Sequence, residues 1–348
     1  MTAVEGDHAV VAGAEDDHAV VTGIGVVSPR GFDASAASKP RQTPDHDWFD
    51  YRTHLGRRGY KYLPSAAQYF LAATNRALDE HGAFVELPAA LRGAVIGTNS
   101  ATDSLHADMD QTILAVGANG LSPATAPYFS VNLFGSRTAM EHSLQGFNLT
   151  LTSPRVAGLE ALQVGLRSLR AGRASWLLAG VAEEEPGDSR SDTAEQGAVA
   201  LTLESAGRVR ARGGEELGRL EVRTFFLPPS VAATDVGRQR LDRLLALTRR
   251  SGADGRFPEV RAVVDDSEVS EAVVRSLGAD LRRFPAGSGA LEPMLQVSEA
   301  LRSRGEAITV IVTAAAQGNV AVARISPASP HGADRSESQM DQTGGRQK

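Results

Sequence analysis

One stretch in the middle of the chain changes its residue periodicity within a few positions. Residues 147–152 alternate apolar and polar side chains as a strand does, and after a short turn leucines recur at helical spacing over residues 159–169. Gly172 is predicted to end this helix, and residues 176–180 form an apolar run typical of a buried strand. The order strand, turn, helix, buried strand predicts an α/β fold and places residue 155 at a helix N-terminus.

The corner between this strand and helix suits a catalytic nucleophile. Backbone N–H groups and the helix dipole favour negative charge at a helix N-terminus, and many enzymes place an anionic nucleophile there. In this sequence the corner carries Pro154-Arg155. Arginine stays protonated at any usable pH and cannot act as a nucleophile. The sequence therefore predicts a catalytic corner that lacks its reacting atom.

Composition narrows the function classes. The chain has 348 residues, a net charge of −6 and no cysteine. The mild negative charge gives no electrostatic reason to expect nucleic acid, and no apolar run approaches the roughly 18 residues of a membrane span. Without cysteine, this chain has no disulfide, zinc–thiolate site or cysteine nucleophile of its own. Its acidic start does not resemble a signal peptide, so we expect a cytoplasmic protein.

Strand and helix patterns alternate along most of the chain and recur in outline, which predicts an α/β fold with two pseudo-duplicated halves. Residues 1–16 are predicted to be a flexible extension and residues 17–210 the first half. The second, shorter half is predicted at 211–326. Residues 327–348 are rich in Ser, Pro, Gly, Gln and charge, which is typical of a disordered tail.

Two other patterns resemble ligand-binding motifs, but neither is complete enough to predict a ligand site. Gly23-Ile24-Gly25 follows a strand as in dinucleotide-binding turns, but Ser28 stands where the third glycine belongs, so a tight turn is favoured. The acids and histidine between residues 103 and 110 scatter around a helix rather than sharing one face, so a solvated helix start is favoured over a metal site. No cofactor and no metal is predicted.

Several stretches together resemble the β-ketoacyl-acyl-carrier-protein synthases. They correspond to the opening strand, the approach to the active site, the nucleophile helix and the strands after it, and lie at residues 19–29, 121–132, 159–162, 173–183 and 195–204. The resemblance covers residues 18 to about 210 and becomes vague beyond them. It implies a thiolase-like fold, in which two duplicated halves form a layered α/β/α/β/α sandwich, and dimerisation through a sheet edge.

The departures from this family concern the reacting groups. The position of the family's cysteine falls on Arg155. The two histidines of the family's second half have no counterpart, because no histidine lies between His142 and His331. The stretch near residues 263–266 replaces the family's His-Gly-Thr-Gly-Thr, and the glycine-rich turn survives only at 315–319. A single substitution cannot explain the loss of the cysteine and of both histidines.

Type II polyketide synthases pair an active ketosynthase with a cysteine-less homologue called the chain length factor, and the resemblance implies this role. Such a subunit would form a heterodimer with the ketosynthase α subunit and shape the acyl tunnel. The growing chain in that tunnel would be carried by acyl carrier protein, in antibiotic-type polyketide or polyene biosynthesis. Candidates for the tunnel wall are Met109, Ile113, Phe129 and Phe134. Plain core packing is at least as good an interpretation for each of them.

Candidates for pairing across the dimer are the strand residues Phe147, Leu149 and Leu151. Glutamine is common at the nucleophile position of such subunits, so Arg155 argues against decarboxylase activity in this one. We expect Arg155 to plug the relic pocket or to pair with an acid such as Glu183. Two alternatives stay open: a ketosynthase-like scaffold protein, and an enzyme with another nucleophile such as Ser153.

Overall fold

The computed structural model describes residues 18–41, 48–79, 86–185, 193–252, 255–303 and 307–328. The predicted extension at 1–16 and nearly all of the predicted tail lie outside these residues. Ten strands are described: β1 Ala19–Val27, β2 Arg92–Gly97, β3 Asn148–Leu151, β4 Trp176–Glu183, β5 Gly197–Ser205, β6 Gly218–Phe226, β7 Glu259–Val264, β8 Arg282–Pro285, β9 Thr309–Ala314 and β10 Asn319–Pro327. The described α-helices are α1 Tyr51–His54, α2 Ser65–Asp79, α3 Asp103–Val116, α4 Leu133–His142, α5 Ala157–Arg170, α6 Ala206–Ala211, α7 Pro229–Ala232, α8 Asp235–Leu244, α9 Ala246–Arg249, α10 Glu268–Leu277 and α11 Leu291–Arg302. No described helix is long and apolar enough to cross a membrane.

The strand order repeats between the two halves. The first five strands lie in the order β3-β2-β4-β5-β1, and the next five lie in the equivalent order β8-β7-β9-β10-β6. In each set the three strands at the outer end are parallel and the remaining neighbours are antiparallel. A short pairing of β1 with β6, Val20 with Arg219 and Val21 with Gly218, joins the sets. The predicted pseudo-duplication is confirmed, and the boundary at residue 210 stays a prediction.

Alternating side chains divide the core into layers. In β4, Leu177 and Ala179 join an inner cluster with α5 and α11, while Leu178 faces an outer cluster with α2. In β9, Ile311 joins the same inner cluster, and Val310 faces an outer cluster with α8 and α10. The period of two along each strand thus places α5 and α11 between the two five-strand sets of the sheet. This is the predicted α/β/α/β/α sandwich.

Helix α5 confirms the central pattern. Its leucines at 159, 162 and 166 are buried in the inner cluster, where each contributes about 1.5–3 kcal/mol by leaving water. Gly158 lets α5 approach α11 closely, because a Cβ there would lie 2.5 Å from Met294 Cγ. Gly172 follows the helix in a left-handed conformation, with φ of 65°.

Some elements differ from the sequence predictions. The leucine pattern of residues 235–249 predicts one helix, but the helix divides at Leu245 into α8 and α9. Strand β8 was not predicted, because Arg282-Arg283-Phe284-Pro285 is a short edge strand with neither alternation nor an apolar run. Residues 30–62 are polar, basic and without periodicity, which predicts a surface segment. Among the described ones, however, the aromatic side chains of Phe32, Trp48 and Phe49 pack against the outer cluster that contains α2. Aromatic packing without periodicity leaves no pattern to detect.

Candidate functional site

The turn between β3 and α5 is a strained elbow centred on Arg155. Its φ is 59°, a left-handed conformation that costs a residue with a Cβ about 1–2 kcal/mol. The side chain of Asn99 holds the turn: its Oδ1 accepts the Arg155 N–H at 3.0 Å, and its Nδ2 donates to the carbonyls of Thr152 at 3.1 Å and Ser153 at 3.2 Å. A backbone N–H at such an elbow can stabilise an oxyanion. Here Asn99 occupies it.

The side chain of Arg155 connects the two halves. Nη1 donates to Asp265 Oδ2 at 2.6 Å and to the carbonyl of Ala314 at 2.7 Å, and Nη2 donates to the carbonyl of Gly287 at 3.3 Å. Only 13% of the side chain is exposed. The acid that we expected to pair with Arg155 is therefore Asp265, at the end of β7, and the suggested partner Glu183 is wrong.

The surroundings of Asp265 favour its ionised carboxylate. Its Oδ1 accepts hydrogen bonds from the Ser267 N–H at 3.0 Å and the Ser270 Oγ at 2.6 Å, while Oδ2 faces Arg155. Partial burial raises the pKa of Asp265, but the hydrogen bonds from Ser267, Ser270 and Arg155 outweigh burial and hold the pKa well below its usual range. The pair is therefore an ion pair at neutral pH.

Glu183 serves a different purpose at the end of β4. It is fully buried and accepts hydrogen bonds from the backbone N–H groups of Asn99, Ser100 and Ala290, and from the Ser100 hydroxyl at 2.7 Å. Burial raises the pKa of Glu183 against the lowering effect of these donors. The carboxylate ties the turn after β2 to the start of α11, which positions both sides of the elbow.

A second buried carboxyl group supports the start of α11. Glu195 accepts the N–H groups of Leu291 at 2.9 Å and Glu292 at 3.1 Å, and burial together with the nearby Glu183 raises its pKa to about 7. A Cβ on Gly287 would lie 2.1 Å from Glu195 Oε1. The segment before α11 is therefore pressed against these carboxyl groups and leaves no room for a larger residue at 287.

The alternative nucleophile lacks an activating base. Among the described residues, the Ser153 hydroxyl makes no hydrogen bond to a histidine or carboxylate, and the turn uses only its backbone carbonyl. A serine hydroxyl needs such a base to become a nucleophile. The described chain also contains no group of three or more acids or histidines placed to hold a metal ion.

The predicted tunnel and dimer residues lie at an exposed end of the fold. Ile113 is 41% exposed and Phe129 is 58% exposed, with its ring against His106, while Met109 is half-buried. The side chain of Phe134 is outside the described part of the structure. In β3, which pairs with β2 on one side only, Phe147 packs on the inner cluster, Leu149 is 40% exposed and Leu151 is half-buried. Their roles stay predictions.

The first half of the chain is similar to a known protein family. Residues 50–212 match the family model of the β-ketoacyl synthase N-terminal domain. Over these residues the chain is similar to the β-ketoacyl synthases. A search of curated protein sequences finds no match.

Solved ketosynthases share the fold. The AntDE:AntF complex, a type II polyketide synthase acyl carrier protein with its ketosynthase, matches with a TM-score of 0.74 at 16% identity, over 90% of this chain and all of that one. The ishigamide ketosynthase/chain length factor matches with a TM-score of 0.70 at 22% identity, over 89% and 99% of the two chains. A β-ketoacyl synthase from Burkholderia phymatum STM815 matches with a TM-score of 0.65 at 15% identity, over 90% of this chain and all of that one. The thiolase-like ketosynthase fold is thereby established for both halves.

The sequence analysis did not connect Asn99 or Asp265 with Arg155, although the sequence contains a signal for both. Asn99 follows β2 and Asp265 follows β7, which occupy the same place in the two five-strand sets. Polar residues that follow the carboxyl ends of equivalent strands are expected to meet where the halves face each other. Arg155 marks that meeting point, so its partner is found by matching the two halves.

Proposed function

We propose that the chain is a chain length factor, the non-catalytic partner of a ketosynthase in a cytoplasmic type II polyketide synthase. The observation that carries this proposal is the Arg155–Asp265 ion pair at the elbow, where a ketosynthase needs its cysteine. A residue that cannot be acylated stands at the nucleophile position, and an acid ends the strand where the family carries its histidine stretch. The surrounding fold is nevertheless retained in both halves.

The ion pair also argues against decarboxylation by this subunit. A guanidinium group that already binds Asp265 and two carbonyls has little capacity left for a substrate carboxylate. The Arg155 N–H is likewise bound to Asn99. The reacting cysteine for decarboxylative condensation would come from the partner, and the acyl chain would arrive on an acyl carrier protein.

An exposed sheet edge supports a partner for this chain. Strand β3 ends the order of strands and has a free side, and Leu149 exposes 40% of its surface there. Such an edge is a site for strand pairing with another chain. We propose that a cysteine-bearing ketosynthase pairs with β3, and that Met109, Ile113, Phe129 and Phe134 contribute to the tunnel wall of the complex.

The experiment is co-expression with a cysteine-bearing ketosynthase, followed by gel filtration and intact mass of the eluted complex. We expect a one-to-one complex. Leu149→Asp should abolish it because a charge would enter the strand interface, while Phe257→Asp, at a residue 76% exposed and away from β3, should leave it intact. A chain that binds no ketosynthase contradicts the proposal. If tunnel-wall substitutions in an active complex leave product length unchanged, the scaffold alternative is favoured instead.

A further inference from the structure

Helix α3 is only partly covered by the described part of the chain. It spans Asp103–Val116, and none of its residues is buried. Leu105, Met109 and Ile113 recur every four residues and form one apolar stripe. Long helices in proteins gain most of their stability by packing such a stripe. Leu105 and Met109 are half-buried and Ile113 is 41% exposed, so the described residues cover the stripe only in part. The exposed remainder is available to another chain.

This helix is connected to the strands at the edge proposed for the ketosynthase. It follows β2, the strand paired with β3, and the His106 ring contacts Phe129 at 4.9 Å between ring centres. The segment containing Phe129 leads into α4, which packs on β2 and β3. Helix α3 and the edge strand β3 are therefore linked through β2 and through the segment of Phe129.

The exposed charges on α3 have one sign. Asp103, Asp108 and Asp110 are all exposed, and none of them makes an ion pair within the described residues. At about 100° per residue, Asp108 and Asp110 lie on opposite sides of the apolar stripe. They form the kind of charged rim that surrounds an apolar contact. The cation Arg137 of α4 is already paired with Glu141.

Self-pairing through this end would oppose like charges. A two-fold dimer places the same patch of each copy against the other, so both sets of aspartates would enter one interface. Opposed like charges in an interface are strongly unfavourable and select against that pairing. Resting on the proposed function, we propose that the acidic rim of α3 selects a ketosynthase whose facing surface carries lysine or arginine, and disfavours a homodimer.

The test uses the full chain and its charge-reversed variant Asp108→Lys/Asp110→Lys, with Asp280→Lys as a control for an exposed acid in the other half. We expect charge reversal to weaken the ketosynthase complex by at least about tenfold at low salt, and high salt to reduce the difference. Asp280→Lys should leave the affinity unchanged. Circular dichroism checks that every variant is folded, and Asp108→Asn/Asp110→Asn should give an intermediate affinity.

A second arm needs no ketosynthase. Wild-type chain mixed with the charge-reversed variant should form a mixed dimer in sedimentation experiments more tightly than either chain pairs with itself. If the mixture gains nothing, the charge inference is overturned, whether or not a ketosynthase binds. If a ketosynthase binds but charge reversal leaves its affinity unchanged, the charge inference is overturned and the proposed function stands. If no ketosynthase binds, the proposed function fails while the mixing arm still decides the charge selection.

Discussion

Replacing Arg155 with alanine tests the ion pair that fills the elbow. The substitution removes a charged contact of 2.6 Å to Asp265 and a hydrogen bond of 2.7 Å to the carbonyl of Ala314, a fully buried residue. Breaking a fully buried pair costs about 3–5 kcal/mol, and the partial exposure here, 13% for Arg155 and 28% for Asp265, lowers that to about 2 kcal/mol. Loss of the hydrogen bond to the Ala314 carbonyl, which keeps only the Ser270 hydroxyl as a side-chain donor at 3.4 Å, adds about 1 kcal/mol. Alanine keeps the unfavourable left-handed φ, so nothing offsets the loss.

We therefore expect Arg155→Ala to lower the free energy of unfolding by about 3 kcal/mol, measured by urea denaturation of the purified chain. A double-mutant cycle with Asp265→Ala should give a coupling of about 2 kcal/mol at neutral pH. The control cycle is the exposed pair Arg238–Asp235, at 2.7 Å with side chains 68% and 82% exposed. It should give less than about 0.5 kcal/mol.

The coupling should also depend on pH with a defined sign. The folded-state pKa of Asp265 is lowered, so its stabilisation is complete above the unfolded value of about 4 and is lost as the pH falls toward the lower folded value. The cycle at acid pH should therefore show a smaller coupling than at neutral pH. A neutral-pH coupling no larger than that of Arg238–Asp235 would refute the conclusion that Arg155 links the two halves.

Two further perturbations follow from neighbouring contacts. Asn99→Ala removes three hydrogen bonds from the elbow and should lower the free energy of unfolding by about 2–3 kcal/mol in urea denaturation. The control Asn119→Ala, at an exposed site, should leave this free energy almost unchanged. Equal effects of the two substitutions would contradict the role of Asn99. Glu195 has its pKa raised from 4.5 to about 7, so the folded chain keeps a proton that the unfolded chain releases, and stability should fall by about 3 kcal/mol as the pH rises through that range. Glu195→Gln should reduce the decline without removing it, because burial also raises the pKa of Glu184 to about 7. A wild-type stability that rises over the same range would contradict this prediction.

Periodicity predicted the helices and strands that surround the site. The leucines of α5 recur at helical spacing, and the buried strand after Gly172 follows a clear turn. The equivalent order in the second half, from β7 through α10 to α11, has similarly strong patterns. These segments bury one face or both, so the sequence itself carries the pattern of burial.

The partner of Arg155 could not be predicted from local pattern. The sequence suggests Glu183 as the paired acid, but this residue ends β4 and accepts hydrogen bonds from four backbone and hydroxyl donors of Asn99, Ser100 and Ala290. Asp265 lies 110 positions beyond Arg155 and reaches it only because the two halves face each other. Contacts between halves depend on how sheets stack, and no period within either half encodes that stacking.

We propose that this chain contributes no reacting atom to condensation. To test this, the ketosynthase complex is incubated with an acyl-carrier-protein thioester, and the intact mass of each subunit is measured. We predict that the acyl group appears on the ketosynthase alone, and that condensing activity requires both subunits. An acyl adduct on this chain, for example at Ser153, would contradict the account.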